Sequence, residues 1–160
     1  MKHIQLSQGK IALVDDGDYD FLSQWRWYAH KERSGYYAVR KSARCNGKQK
    51  MIYMHTVLLG TPAGKKGDHA DRNTLNNQRE NLRIATNSQN GINRKGNTKN
   101  KYGGLKGVSR SKSKYRAVIK KEGKSFSLGS FHSAVEAAKA YDEKAKELFG
   151  DFACLNFPDL

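Results

Sequence analysis

From Gly91 to Gly107 the chain reads GINRKGNTKNKYGGLKG, a stretch of glycine, asparagine and lysine with almost no large apolar side chain. Such a segment buries too little apolar surface to offset the entropy lost on ordering it, so it cannot lie inside a core. It therefore divides the 160 residues, and a hydrophobic content of 37% is in any case thin for one large core. Small modules are expected on either side of a basic linker.

The charge balance narrows the partner. Lys and Arg number 30 against 15 for Asp and Glu, a formal +15 with a pI near 9.9, which suits a polyanion and first of all nucleic acid. The longest apolar runs, such as Val57 to Leu59, are far too short to span a bilayer, and the polar start after Met1-Lys2-His3 is no signal peptide. A cytoplasmic setting is the expectation. The two cysteines, Cys45 and Cys154, are too few for a disulfide framework or a cysteine-based zinc site.

Coarse patterning predicts an α+β chain of several modules. In the region 1–50, Gln8-Gly9 separates two short strands, and Ser34-Gly35 separates Trp25–Tyr28 from Tyr36–Val39. Arg26, Lys31, Arg33, Arg40 and Lys41 are interleaved with those aromatics, giving a basic aromatic ribbon that either contacts DNA or is a half-buried hairpin with solvated charges. Met51 to Gly60 holds a short helix capped by glycine, with Pro62 beyond it. Lys114–Lys121 and the run after Glu122-Gly123 read as two alternating strands. Ala134, Ala137, Ala138, Tyr141, Ala145 and Leu148 share one face of a following helix, which opens on the capping box Ser133/Glu136 and stops at Gly150.

The densest chemical signal is DHADRNTLNNQRENLRIATNSQN, residues 68–90. Asp68 offers a hard oxygen to a divalent cation and Asn90 a neutral amide oxygen; His69 has an ordinary pKa near ~6.5, which suits a general base. On a strand Asp68 and His69 would face opposite ways, so irregular backbone is expected around Gly64 and Gly67. LRIAT reads as a strand, and Thr86 with Gln89 as a capping box opening a helix that carries Asn90. Asn73, Asn76 and Asn77 read as turn residues, and Arg72 and Arg79 as phosphate contacts or solvated charge.

This order of strand, polar loop, strand and helix, with these residues, resembles the HNH endonuclease family and its ββα-metal fold, particularly the phage and intron-homing branch. The resemblance implies His69 as general base, Asp68 and Asn90 as ligands of one divalent metal, and Asn81 as the residue orienting the His69 ring. Carboxylate and amide oxygens favour Mg²⁺ or Mn²⁺ over zinc, with the metal acting on the leaving 3′ oxygen. His55 resembles part of an "MHR" element upstream of the motif, with Thr56 where arginine is usual; packing behind the site or touching a phosphate are the roles open to it.

The last third, GVSRSKSKYRAVIKKEGKSFSLGSF through the ending LNFP, resembles the Apetala-two/ethylene-responsive DNA-binding domain. That implies three strands on one helix, with the open sheet face in the major groove. Arg116, Val118, Lys120, Ser125 and Ser127 would lie on that face, and Arg110, Lys112 and Lys114 beside it. Phosphate contact is the expectation for these three, and a solvated basic surface is the lesser alternative. The layout expected is thus a β-rich DNA-contacting region 1–50, a nuclease module 51–94, a basic linker 95–106 that tracks phosphates through Arg94, Lys95 and Lys101, and a DNA-binding module 107–158.

Taken together, the expectation is a metal-dependent endonuclease of homing type acting on double-stranded DNA as a monomer or weak dimer. It would need no small-molecule cofactor and no membrane, and its setting would be a phage-infected bacterial cell. A catalytically silent DNA-binding regulator and, more distantly, an RNA-binding protein are the competing classes. Metal-dependent strand scission separates the first from both.

Overall fold

The structure is a computed structural model that describes residues 1–96 and 104–158. Lys101 lies outside the described residues. The chain divides into two compact units, Met1–Asn87 and Ser88–Leu160. The boundary falls inside the stretch 51–94, because the start of the chain and the motif share one core.

That core explains the first unit. Strands β1 (Lys2–Gln5) and β2 (Ile11–Val14) pair antiparallel, reversing at Gln8 and Gly9, both with left-handed backbone. Helix α1 (Asp16–Ser23) follows, which the alternating pattern of the region did not announce; its acidic first turn, with Asp16 and Asp18, favours the positive end of the helix dipole. Strands β3 (Tyr28–Glu32), β4 (Gly35–Lys41) and β5 (Met51–Tyr53) form an antiparallel sheet in that order. Its first hairpin turns at Arg33-Ser34.

Trp25 and Trp27 precede β3 and are not strand residues as expected. Trp27 is 3% exposed and donates its Nε1–H to the Leu22 carbonyl at 2.8 Å, so it belongs to the core and not to a ribbon facing DNA. Helix α2 (Met54–Leu59) ends at Gly60 in the left-handed region, the geometry that glycine adopts at least cost. Ile4, Leu6, Val14, Leu22, Met54, Leu58 and Leu82 then meet in one apolar cluster.

The motif completes this unit. Strand β6 (Lys66–His69) pairs antiparallel with β7 (Leu82–Ala85), Asp68 opposite Arg83 and His69 opposite Leu82. The asparagine-rich loop between them seats on the edge of β2: Leu13 N donates to Leu75 O at 2.9 Å and Asn77 N to Leu13 O at 2.8 Å. Helix α3 (Asn87–Ile92) follows β7 directly.

In the second unit β8 (Val108–Ser111), β9 (Lys114–Lys121) and β10 (Lys124–Phe131) form an antiparallel sheet with β9 central. Helix α4 (Ala134–Phe149) packs on it, with the Ser133 hydroxyl accepting from Glu136 N at 3.1 Å. Ala137, Ala138 and Ala145 are essentially inaccessible and bring the helix close to Ala117 and Ile119. A Cβ on Gly107, whose φ is +75°, would collide with the Tyr141 ring, so the chain can enter β8 beneath that ring only with glycine here. No described helix is long and apolar enough to cross a membrane.

Candidate active site

The polar loop shows why the motif spends so many asparagines. Asp71 Oδ1 accepts from Asn73 N at 2.7 Å, Asn73 Oδ1 from Leu75 N at 3.2 Å, and Asn76 Oδ1 from Gln78 N at 3.3 Å. Three side chains thus substitute for the backbone partners that a twisting loop cannot supply. Asn81, 7% exposed, closes the loop: its Oδ1 accepts from Asp71 N at 2.9 Å, its Nδ2 donates to Asn76 O at 2.7 Å, and its carbonyl accepts from Ala70 N at 2.8 Å. These bonds fasten the chain immediately after His69.

Asp68 and His69 are both buried, at 6% and 4% exposed, on a strand whose register is unbroken. The irregular backbone expected between Gly64 and Gly67 is therefore absent from β6; it lies before the strand at Gly64, with φ +78°, and after it at Arg72, with φ +66°. Strand alternation sends the two side chains to opposite faces, and their contacts agree. Asp68 Oδ2 accepts from Arg83 Nε at 2.8 Å and lies 2.8 Å from Arg83 Nη2, an ion pair with both side chains largely enclosed. His69 joins a cluster of rings: its centroid is 4.9 Å from His55, edge-on, and 6.0 Å from Tyr37.

His55 and Tyr53 complete that cluster, 5.5 Å apart, and Tyr53 donates its hydroxyl to Glu32 Oε1 at 2.6 Å. Glycine at 67 makes room for it, since a Cβ there would overlap the His55 ring and crowd Leu59. Burial pushes His55 down to about 3, with help from His69. Burial also holds His69 below its ordinary value, against the upward pull of a hydrogen bond with the Asn77 side chain and of the Asp71 and Asp68 charges. The Glu32 hydrogen bond, more than burial, raises Tyr53 to about 12. Both imidazoles are thus neutral at physiological pH, the state in which His69 can accept a proton.

The remaining motif residue, Asn90, sits half-buried on α3 and belongs to the second unit. The basic residues singled out in the sequence fall into three groups. Arg40 and Arg79 have structural partners: the Arg40 guanidinium lies 4.5 Å from the Trp25 ring, and Arg79 grips Asp18 with Nε to Oδ2 and Nη2 to Oδ1, each at 2.7 Å. Arg26, Arg94 and Lys95 are exposed, while Arg72 is half-buried. Lys112, Lys114, Arg116 and Lys120 are exposed on the second unit; Arg110 is exposed too, but lies opposite Tyr115, on the helix side of the sheet.

Arg83 and Asn77 were not singled out as site residues, although one pairs with Asp68 and the other, 1% exposed, with His69. Arg83 was findable only through the β6–β7 register, since cross-strand partners have no fixed sequence spacing. Among the described residues no group of three or more His, Cys, Asp or Glu side chains gathers as a metal cage. The Asp68 carboxylate remains a hard donor suited to Mg²⁺ or Mn²⁺, and a cation there would share it with Arg83.

Comparison with known proteins gives the chain a family. Residues 59–92, which span α2's end, β6, the asparagine loop, β7 and α3, match the family described as HNH endonuclease. An uncharacterized HNH endonuclease of Acanthamoeba polyphaga mimivirus is 34% identical over 153 residues, covering 93% of this chain and 76% of the relative. No solved structure matches. The likeness extends well beyond the motif into both units, and the chain belongs to the HNH endonuclease family.

Proposed function

We propose that this endonuclease hydrolyses a phosphodiester bond of double-stranded DNA, with His69 taking a proton from the attacking water. The observation that carries the reading is a buried, neutral imidazole at the end of β6, next in the chain to a buried carboxylate. Asp68 and Asn90 would hold one Mg²⁺ or Mn²⁺, which when bound supplies positive charge to the leaving oxygen. The Asn77 side chain would orient the His69 ring, the bonds of Asn81 would brace the chain just after it, and Arg83 would orient Asp68. Preorganisation of this kind lets a side chain act without reorganising during the reaction.

The second unit would grip the duplex through the sheet face turned away from α4. Arg116 and Lys120 alternate there with the buried Ala117 and Ile119, and Ser125 and Ser127 lie opposite Lys120 and Val118. The Apetala-two-like docking of that face, and a homing role at a recognised site, belong to the same proposal.

Cleavage of supercoiled DNA by the wild-type protein and by His69→Ala, with Mg²⁺, Mn²⁺ or EDTA, tests it. Metal-dependent nicking that His69→Ala abolishes while DNA binding persists is the expected result. Tight binding by the wild type with no scission under any metal would overturn it. A linear product appearing before nicked circles would show two coordinated cuts, against the single cut expected of one site per chain.

A further inference from the structure

The second unit contains a relay of polar contacts that the cleavage chemistry does not use. Asp142 on α4 is 5% exposed, and its carboxylate accepts from Asn156 N at 2.8 and 3.0 Å, Phe157 N at 2.9 Å and Asn156 Nδ2 at 3.0 Å. Asn156, held in this way, grips both polar groups of one backbone residue: Lys106 N donates to its Oδ1 at 2.6 Å, and its Nδ2 donates to Lys106 O at 3.1 Å. Lys106 then turns its ammonium onto the end of α3, donating to the Ile92 carbonyl and, at 2.7 Å, to the Arg94 carbonyl.

The last carbonyls of a helix lack intrahelical partners and carry partial negative charge, so an ammonium there meets both needs. α3 has particular use for such support. It is six residues long and includes Gly91, and a helix that short has little stability of its own. Asn90 lies on it, two residues before Ile92. A lysine of the basic linker, which composition would assign to DNA phosphates, thus has its donors aimed at protein carbonyls.

We propose that Lys106 is a positioning residue, the movable end of a clasp anchored on Asp142 that holds α3 and thereby Asn90 for metal binding. The inference rests on the reading of Asn90 as a metal ligand. It also gives the ending LNFP a purpose, since Asn156 is the link between α4 and the clasp.

The test uses the full chain as wild type, Lys106→Met, Lys106→Arg and Asn90→Ala. Amide hydrogen exchange across residues 88–94 is followed without metal, with the exchange of α4 as the control for folding, and Mn²⁺ affinity is measured by spin resonance of the free ion. Lys106→Met is expected to speed exchange in α3 about tenfold and to weaken Mn²⁺ by a similar factor, with α4 unchanged. Lys106→Arg, which keeps the charge and donors, should restore most of both. Unchanged α3 exchange in Lys106→Met overturns the clasp, even if Asn90→Ala weakens Mn²⁺. Faster exchange with Mn²⁺ affinity unchanged overturns the positioning role. If Asn90→Ala also leaves Mn²⁺ affinity unchanged, the ligand reading of Asn90 is what failed; if it weakens Mn²⁺, the link from Lys106 to the metal is what failed.

Discussion

Asp68 in the first unit and Asp142 in the second are almost equally buried, at 6% and 5% exposed, yet they are held in different ways. Asp142 accepts from the backbone amides of Asn156 and Phe157, groups that cannot move without unravelling the chain end. Asp68 is gripped by a side chain, the Arg83 guanidinium, which can rotate and share. A carboxylate closed mainly by backbone donors is fixed by the fold, whereas one paired with a guanidinium can share its oxygens with a cation. The same contrast runs through the two cores. Around α4 the buried surface is mostly alanine, valine and isoleucine, whereas His55, Asp68, His69, Asn77 and Asn81 are all buried around β6. Burying polar groups costs stability unless each is satisfied, and the first unit bears that cost around the motif.

The contrast breaks most directly by removing one group from each side. His69→Ala should lower the nicking rate by about 10²–10⁴-fold, the usual contribution of a general base, beyond the stability lost to the cavity it leaves. Nicking on supercoiled plasmid measures it, and a residual rate close to wild type would strip His69 of its role. Asp142→Ala should act on stability first, and reach nicking only through the loosened clasp on α3. Loss of the acceptor leaves buried amides unsatisfied and destabilises the second unit by on the order of 3 kcal/mol, read from denaturant melts.

Gly67→Ala sharpens the comparison within the first unit. The added methyl must displace the His55 ring or β6, a cost of about 1–3 kcal/mol, and a urea midpoint indistinguishable from wild type would show that the ring is not confined. pH offers a gentler handle. Both histidines have folded values below their ordinary 6.5, His55 at about 3, so as pH falls the unfolded chain takes up protons first. The stability they contribute is fully present above about pH 6.5 and is lost progressively toward pH 3. His55→Phe, which keeps a ring but cannot protonate, should flatten that slope by up to about one proton, visible in urea midpoints across the range. The smallest effect expected is on the open sheet face: Lys120→Ala should reduce the salt slope of DNA binding by roughly one unit. An unchanged slope would leave that face solvated.

Much of this protein was legible before its fold. Gln8-Gly9, Glu122-Gly123 and Gly60 marked reversals and a helix end because left-handed backbone is cheap for few residue types, and the structure shows all five residues with positive φ. The Ser133/Glu136 cap and the alanine face of α4 followed from helical period. Helix α1 was not legible, since DDGDYDFLS mixes acids and aromatics without a clear period and takes its shape from Leu22 and Trp27 packing into a shared core. Trp25 and Trp27 have strand propensity and yet lie outside a strand for the same reason.

The sequence by itself determined the chemistry available: a carboxylate, an imidazole and a set of asparagines at motif spacing, on a strongly basic chain. Residue types and local turn preferences are local quantities, so a string of letters carries them. Only the tertiary structure decided which partner each group met. It set Arg83 opposite Asp68, His55 and Asn77 against His69, and Lys106 on the end of α3. Those pairings depend on register and burial between distant segments, and no spacing along the chain encodes them.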